Sequence, residues 1–461
     1  MSKMFTIKAS EAHGRRLDPE YHHALRRTRI RSTYPSAKLL SLSYFRTGGT
    51  PSTAHPEYWN GSIPWVSAKD FKAFRFEDSE DHVTELALAE STTCYVNRPA
   101  VLMVSRSGIL QHTLPVMVTH KPTTINQDIK AFFPDDRVSV DYLGAFFDVF
   151  GSRLLPLVCK SGATVQSLNT EQLMDLSIPL PPLPEQRKIV AELDAAYAAK
   201  RAADEKATKL LASIDNMVLN ELGVKKNDKL DTSLASRIFT VSSSSICNGR
   251  FDPKYAFFSR RFAAFKYPTA KLGALLSEPP AYGAGEAGVE RISKQQPRYV
   301  RITDIDENGD MLSGLGVTAQ NIDSAYFLRD GDILFARSGN TVGKTYLHRI
   351  KDIQDECIYA GYMIRFRFTD AVLPEYVFAY TQTSYYHEWV QMVQRTAGQP
   401  NINAQEYRGM TIPVPPLTVQ KRIASTASSI RAEARKLKAD ATAALDVAKR
   451  KIEEELMIKE N

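Results

Sequence analysis

The chain has 461 residues, too many for one ordinary hydrophobic core and enough for two or three domains. With 43% hydrophobic and 24% charged residues it reads as globular, which excludes bulk disorder, and no apolar stretch approaches the roughly 18 residues needed to span a bilayer. Fifty-nine Lys and Arg against 52 Asp and Glu leave a net charge of +7, which suits a polyanionic partner such as DNA. Cys94, Cys159, Cys247 and Cys357 lie far apart, so neither a zinc ligand set nor a disulfide framework is expected. The start, Met1 to Lys8, lacks the apolar core of a signal peptide. The expected location is the cytoplasm, with reduced thiols.

Arg15, Arg16, Arg26, Arg27, Arg29 and Arg31 crowd the first segment, either to meet a polyanion or as a solvated helix face. Asp18-Pro19-Glu20-Tyr21 lies among them. Breakers at Arg98-Pro99 precede Ala100 to Val104, which reads as a strand, and Arg106-Ser107-Gly108 follows as a loop. Tyr142 to Phe150 reads as helix. Ile178-Pro179-Leu180-Pro181-Pro182-Leu183 is stiff extended chain leading into a long helix. From Glu185 to Leu222 there is neither Pro nor Gly. Ile189, Leu193, Ala196, Ala203, Ala207, Leu210, Ile214 and Met217 form a heptad seam, interrupted by Lys200, and Gly223 is placed to end the helix.

In the second half, Asp332 to Ala336 and Met363 to Phe368 read as strands and Pro374 to Met392 as helix. A second long helix runs from about Thr418 to Ile458, with Ile423, Ala427, Ile430, Ala434, Leu437, Ala441 and Ala448 in a comparable stripe. Each stripe needs a partner. The two helices satisfy one another as an antiparallel coiled coil, each roughly 55–60 Å long; packing on the adjoining globular part is the alternative.

The halves match in order. Leu17-Asp18-Pro19-Glu20-Tyr21 returns as Phe251-Asp252-Pro253-Lys254-Tyr255, 234 positions later, and Tyr34 to Leu39 as Tyr267 to Leu272. Arg106-Ser107-Gly108 returns as Arg337-Ser338-Gly339, and Ile178 to Leu183 as Ile412 to Leu417. Gln186-Arg187-Lys188-Ile189 returns as Gln420-Lys421-Arg422-Ile423. The chain is a tandem duplication with a boundary near residue 234, and units of this length are domains rather than solenoid repeats.

Catalytic motifs fail on context. Gly283-Ala284-Gly285-Glu286-Ala287-Gly288 fits the dinucleotide fingerprint literally but follows no apolar strand, so we read it as a flexible loop. Gly339 to Thr345 resembles a phosphate loop one residue short, able to hold a phosphate through backbone N–H groups and Lys344 without hydrolysis. The Asp-Pro-x-Tyr segments at Asp18 and Asp252 approach the Asp-Pro-Pro-Tyr of DNA amino-methyltransferases. Glu20 and Lys254 stand where the second proline belongs, so a turn with Tyr21 and Tyr255 packed inward is preferred. No catalytic residue, metal ligand set or cofactor is assigned.

Thr47-Gly48-Gly49-Thr50-Pro51-Ser52 and Tyr58-Trp59-Asn60-Gly61-Ser62-Ile63-Pro64-Trp65-Val66-Ser67-Ala68-Lys69-Asp70 form a distinctive string, with Trp59 and Trp65 as core anchors shaping the loop. With the proline-rich element and the duplication, the chain resembles the specificity (S) subunit of type I restriction-modification systems. The resemblance implies an α+β fold: two tandem target-recognition domains in a pseudo-two-fold repeat, separated by a long antiparallel two-helix coiled coil. The expected divisions are 1–183 and 235–417 for the domains, 184–234 for the first spacer helix and linker, and 418–461 for the second helix. It implies a non-catalytic subunit that reads a bipartite site in double-stranded DNA and recruits two methyltransferase subunits, which restriction subunits join. The second repeat replaces the tryptophan string with Tyr299-Val300-Arg301-Ile302-Thr303-Asp304-Ile305, keeping the frame of Val66 and Asp70 as Val300 and Asp304. Long donors reach base edges, and shorter donors and cations hold phosphate. The candidate DNA-binding residues are Ser67, Lys69, Arg106 and Ser107 in the first domain, and Arg301, Thr303, Arg337, Ser338 and Lys344 in the second. A type IIB organisation, a diverged DNA amino-methyltransferase and a coiled-coil protein scaffold are the alternatives.

Overall fold

A computed structural model describes residues 30–160, 166–224, 235, 238, 240, 265–394 and 399–458. The arginines up to Arg29, both Asp-Pro-x-Tyr segments, Cys247 and the boundary near 234 lie outside the described residues. The chain divides into two compact units, Met1–Ala203 with Lys438–Asn461, and Asp204–Leu437.

In the first unit the strands are β1 (Ser36–Lys38), β2 (Ser43–Thr47), β3 (Trp59–Val66), β4 (Asp81–Val83), β5 (Cys94–Val96), β6 (Ala100–Val104), β7 (Val116–Thr119), β8 (Thr123–Ile125) and β9 (Ile129–Pro134). Helix α1 (Val140–Val158), strand β10 (Ser177–Pro179) and the long helix α2 (Leu183–Glu221) follow. One sheet has the order β2-β9-β6-β7, a second β4-β3-β8-β5, and β1 pairs with β10. Strand β6 is buried throughout, as its continuous apolar run requires. Val101 and Met103 face one core with α1, while Ala100 and Leu102 face another.

Ser139 caps α1 by accepting the N–H of Tyr142 at 3.1 Å. The helix extends beyond the expected Tyr142–Phe150 and carries Pro156 in its last turn, where buried Leu157 and Val158 hold it together despite the lost donor. Ile189 and Leu193 of α2 join this same core, together with Leu445, Ile452 and Leu456 of the C-terminal helix. Lys451 pairs with Glu192 at 2.6 Å and Lys449 with Asp148 at 2.9 Å.

The second unit repeats the plan with β11 (Thr269–Lys271), β12 (Ala281–Tyr282), β13 (Gly288–Glu290), β14 (Arg298–Val300), β15 (Val317–Ala319), β16 (Ile333–Ala336), β17 (Thr345–Leu347), β18 (Cys357–Tyr359) and β19 (Met363–Phe366). Helices α3 (Pro374–Tyr380) and α4 (Ser384–Val393), strand β20 (Thr411–Pro413) and helix α5 (Leu417–Leu456) complete it. The sheet β12-β19-β16-β17 matches β2-β9-β6-β7, and the parallel pair β14–β18 matches β3–β8. Tyr142 donates to the carbonyl of Pro179 at 2.9 Å, and Tyr376 to that of Pro413 at 2.8 Å. The fold is α+β, with two repeated domains and long helices.

The expected single helix from Pro374 to Met392 is two helices. Thr383 restarts the chain as a new N-cap, its hydroxyl accepting from the N–H of Tyr386 at 3.3 Å. Both long helices form where the composition places them, but their stripes do double duty. Ile214, Val218 and Leu219 of α2, and Leu222 just after it, lie in the second unit's core with Ile423 and Ala427 of α5 and with buried residues of α3 and α4. Arg431, 6% exposed, donates to the carbonyl of Asn308 at 2.7 Å and covers the Phe378 ring at 4.6 Å. Each stripe therefore contributes to the cores of its globular neighbours.

Candidate nucleic-acid interface

In the first domain the candidates gather around one turn. Strand β3 ends at Val66, whose carbonyl accepts the N–H of Asn126 at 3.1 Å. Strand β6 ends at Val104, and the N–H of Ser105 donates to the carbonyl of Asp128 at 2.7 Å. The turn Asn126-Gln127-Asp128 thus joins the end carrying Ser67 and Lys69 to the end carrying Arg106 and Ser107. The second domain has the same construction. The N–H of Ala360 donates to Val300 and that of Arg337 to Tyr362, each at 3.0 Å, so the turn Ala360-Gly361-Tyr362 joins Arg301 and Thr303 to Arg337 and Ser338.

Within this frame the candidates differ in what they offer. Ser67, 9% exposed, turns inward: its N–H and hydroxyl both donate to Oδ2 of Asp70, at 2.8 and 3.0 Å. Arg301 stands at the same place and sends its backbone N–H and the Nε/Nη2 edge of its guanidinium to Asp304 at 2.9–3.0 Å. Asp304 holds the Arg301 guanidinium firmly protonated. Lys69 lies 2.9 Å from Asp81 and 3.3 Å from Glu80, and its ammonium pKa is raised, chiefly by Asp81. Arg106 donates to Asp128 at 2.7 Å while more than half of its side chain stays in solvent. Ser107 caps a short turn by accepting from the N–H of Ile109 at 3.4 Å. Thr303 is exposed.

Arg337 is without a carboxylate among the described residues; its guanidinium lies 4.8 Å from the centre of the Tyr282 ring. Ser338 is bridged to Asn401. Lys344 is engaged within its own domain: its ammonium donates to the carbonyl of Ile305 at 3.0 Å. The neighbouring N–H groups of Gly339, Val342, Gly343 and Lys344 donate to Pro400, Gly339, Ala336 and Thr341. The loop is a structural turn, with Gly339 and Gly343 at positive φ, and these four donors are already engaged.

Two alignments made on sequence shift. Val104 pairs with Ile129 where Ala336 pairs with Met363, and Arg106 bridges to Ser167 where Ser338 bridges to Asn401. Arg106 therefore corresponds to Ser338, one residue away from its apparent partner Arg337, because β6 and β16 with the residues that follow them keep one hydrogen-bond register that the matching letters do not share. Second, Gly283-Ala284 is neither a dinucleotide fingerprint nor a free loop. Ala284 donates to Tyr359 at 2.8 Å as Gly49 donates to Ile125 at 3.1 Å, so Gly283-Ala284 replaces Gly48-Gly49. The string around Trp65 behaves as expected: Trp65 is 8% exposed, donates to Gly49 at 3.2 Å, and meets Trp59 edge-on at 5.1 Å.

Sequence reasoning missed Asp128, which orients Arg106, and Tyr362, which is 66% exposed beside Arg337. Their signal was positional: each ends a three-residue turn between apolar runs at the same repeat spacing. Among the described residues no cluster of His, Cys, Asp or Glu is arranged to hold a metal, and no helix is long and apolar enough to cross a membrane.

The model of the type I restriction modification DNA specificity domain matches residues 35–210 and 293–444, more than half of the chain and both repeats. The chain belongs to this family. The type I specificity domain thus occurs twice, each copy running into a long helix. Over 148 residues the chain is 39% identical to the EcoR124I/EcoR124II specificity subunit of Escherichia coli, covering 32% of this chain and 37% of that one. It is 30% identical over 162 residues to the MjaIX specificity subunit of Methanocaldococcus jannaschii, covering 34% and 36%. With the EcoKI specificity subunit of Escherichia coli it shares 25% identity over 274 residues, covering 57% and 52%. The matches span well under two thirds of these relatives' lengths. A crystal structure of the type I system S subunit from M. genitalium aligns over 93% of this chain and 97% of that one, at 10% identity and a TM-score of 0.41.

Proposed function

We propose that this chain is the DNA sequence-specificity subunit of a type I restriction-modification assembly. Each specificity domain reads one half of a bipartite site in double-stranded DNA, and the long helices set the unread gap. The observation that carries this reading is the family match in both repeats, each repeat presenting the same three-residue turn flanked by strand ends that carry arginine. Arg106 and Arg301, each oriented by an aspartate, are suited to base edges, because a guanidinium fixed in advance loses less freedom on forming two hydrogen bonds. Arg337 with Tyr362, Lys69, Thr303 and Ser338 complete the contact set, while Ser67, Ser107 and Lys344 shape the loops from inside.

The antiparallel coiled coil is supported from each unit separately. In one, the start of α2 meets the end of α5; in the other, the end of α2 meets the start of α5, with Arg422 on Glu221 at 2.6 Å. The chain performs no chemistry itself. Methylation and cleavage fall to methyltransferase and restriction subunits that it brings to the site. The test is selection from a randomised DNA pool by the chain co-expressed with a methyltransferase subunit. Two fixed half-sites around a fixed gap are expected; salt-sensitive binding without enrichment would overturn the reading.

A further inference from the structure

Three of the four cations in the proposed contact set are already neutralised. Lys69, Arg106 and Arg301 are each paired with a carboxylate of their own domain, so they bring little uncompensated charge to a phosphate backbone. A DNA-binding domain needs such charge somewhere.

In the first domain it lies on the edge strand β2. Tyr44 is half exposed and stacks on Phe133 opposite it in the sheet, ring centres 5.0 Å apart at 25°. Arg98 lays its guanidinium over both rings, 5.2 Å from the centre of Tyr44 and 4.8 Å from that of Phe133. Arg46, two residues along β2 and so on the same side as Tyr44, approaches the Phe133 ring at 6.0 Å. Phe133 itself is 4% exposed and anchored in the core, which makes the stack a fixed platform. Arg98 reaches it from the short turn between β5 and β6, where Pro99 restricts the chain. Both arginines are exposed, and among the described residues neither has a carboxylate within ion-pair reach. Arg46 lies close enough to the Cys94 thiol to oppose the rise in its pKa that burial causes.

A guanidinium stacked by its face on an aromatic ring keeps its N–H edge free for a planar or tetrahedral anion. Two such edges on one rigid platform, uncompensated by acid, are built for phosphate oxygens. No carboxylate fixes their direction, as one does for Arg106, so they suit an acceptor that carries no sequence information. We propose that Arg46 and Arg98 grip the DNA phosphate backbone beside the first half-site, with Tyr44 and Phe133 as their platform. This assignment rests on the DNA-recognition reading above.

The test uses the chain assembled with its methyltransferase subunit and a duplex carrying the selected site. Affinity is measured from 50 to 200 mM salt for the wild type, Arg46→Ala/Arg98→Ala and Arg46→Lys/Arg98→Lys. Each lost phosphate contact should make the slope of log K against log salt shallower by about 0.9, and cost about 5-fold at 0.15 M salt. The double alanine variant should therefore bind about 25-fold more weakly, equally for every single-base variant of the half-site. The lysine pair should retain most of the wild-type slope. Should the double alanine variant melt early, Arg98→Gln alone, at an exposed turn, carries the test with half the slope change. An unchanged slope in a complex that still selects its site overturns the patch and spares the specificity reading. Loss confined to one base pair overturns the phosphate assignment. A wild-type complex that selects no site sinks the specificity reading itself, and the patch with it.

Discussion

Gln186 and Gln420 hold their two domains with the same three hydrogen bonds. Gln186 accepts the N–H of Ser139 at 2.9 Å and donates to the carbonyls of Arg137 and Pro181, both at 3.0 Å. Gln420 accepts the N–H of Leu373 at 2.8 Å and donates to Ala371 at 3.2 Å and Pro415 at 2.8 Å. Both side chains are almost wholly buried. Each glutamine ties the first turn of a long helix to the chain entering α1 or α3, and so fixes the helix to its domain. Replacement by alanine strands one buried N–H and two carbonyls, at roughly 3 kcal/mol in all once the groups relax. Urea unfolding of Gln186→Ala and Gln420→Ala should show losses of that order. A loss below about 0.5 kcal/mol, the usual range for surface changes, would mean the glutamines are dispensable.

Gly48 and Gly283 are held to glycine by crowding. A Cβ on Gly48 would collide with the backbone carbonyl of Ile125, and one on Gly283 with that of Ala360. Both carbonyls border the turns that join the candidate contact residues. Gly48→Ala and Gly283→Ala should each cost about 1–3 kcal/mol or more, since the neighbour is backbone and cannot rotate away. Each should also weaken selection of its own half-site more than the other. Alanine variants with wild-type melting temperature and selectivity would show that the strands separate freely there.

These glycines mark where the sequence was legible and where it was not. The duplication, the buried strand β6, both long helices and the Val66/Asp70 frame repeated as Val300/Asp304 followed from local pattern. Gly283 did not, because the residues it touches are distant in sequence and its neighbours imitate another motif. The equivalence of Arg106 with Ser338 was hidden for a related reason: three matching letters outweigh a one-residue difference, whereas hydrogen-bond register does not. Asp128 and Tyr362 escaped because a turn has no periodicity to read, and its value comes from the strand ends it joins.

The second unit should be the acid-sensitive one. His348 is 2% exposed, with Nδ1 3.2 Å from the Tyr346 hydroxyl, and burial holds its pKa below the ordinary histidine value despite Asp332 and Asp330. His387 is lowered by burial as well, against Asp215. The unfolded chain therefore binds protons near pH 6.5 that the folded chain refuses until lower pH. Their stabilising contribution is complete above that value and is lost as pH falls below it. Melting between pH 7.5 and 5.5 should show this decline, and His348→Gln should flatten it. A wild-type profile in the variant would place the sensitivity elsewhere.

Arg106 and Arg301 should read separate half-sites. Each is buttressed by its own aspartate, Arg106 by Asp128 and Arg301 by Asp304. Arg106→Ala should relax preference in one half-site by about 1–3 kcal/mol and leave the other unchanged, with Arg301→Ala doing the reverse. Asp128→Asn, which keeps a hydrogen-bond acceptor but removes the charge, should fall between wild type and Arg106→Ala. Equal relaxation of both half-sites by either arginine variant would show that the arginines support the assembly generally and read no base.

The gap between half-sites should follow helix length. Seven residues, one heptad, added to each long helix lengthen it by about 10 Å while keeping the stripe in phase. At about 3.4 Å per base pair this corresponds to roughly three base pairs. The insertions belong between Ala203 and Asp204 in α2 and between Leu437 and Lys438 in α5, where each helix passes from one compact unit to the other. The altered chain, assembled with its methyltransferase subunit, is then offered a series of duplexes that differ only in spacer length. Its preferred gap should grow by about three base pairs, while both half-site sequences stay as they were. An insertion in one helix alone would put the proposed coiled coil out of register and should lower affinity for every spacer. If the doubly extended chain still prefers the original gap, the helices do not measure the spacer, and the domains must reach their half-sites by some other constraint.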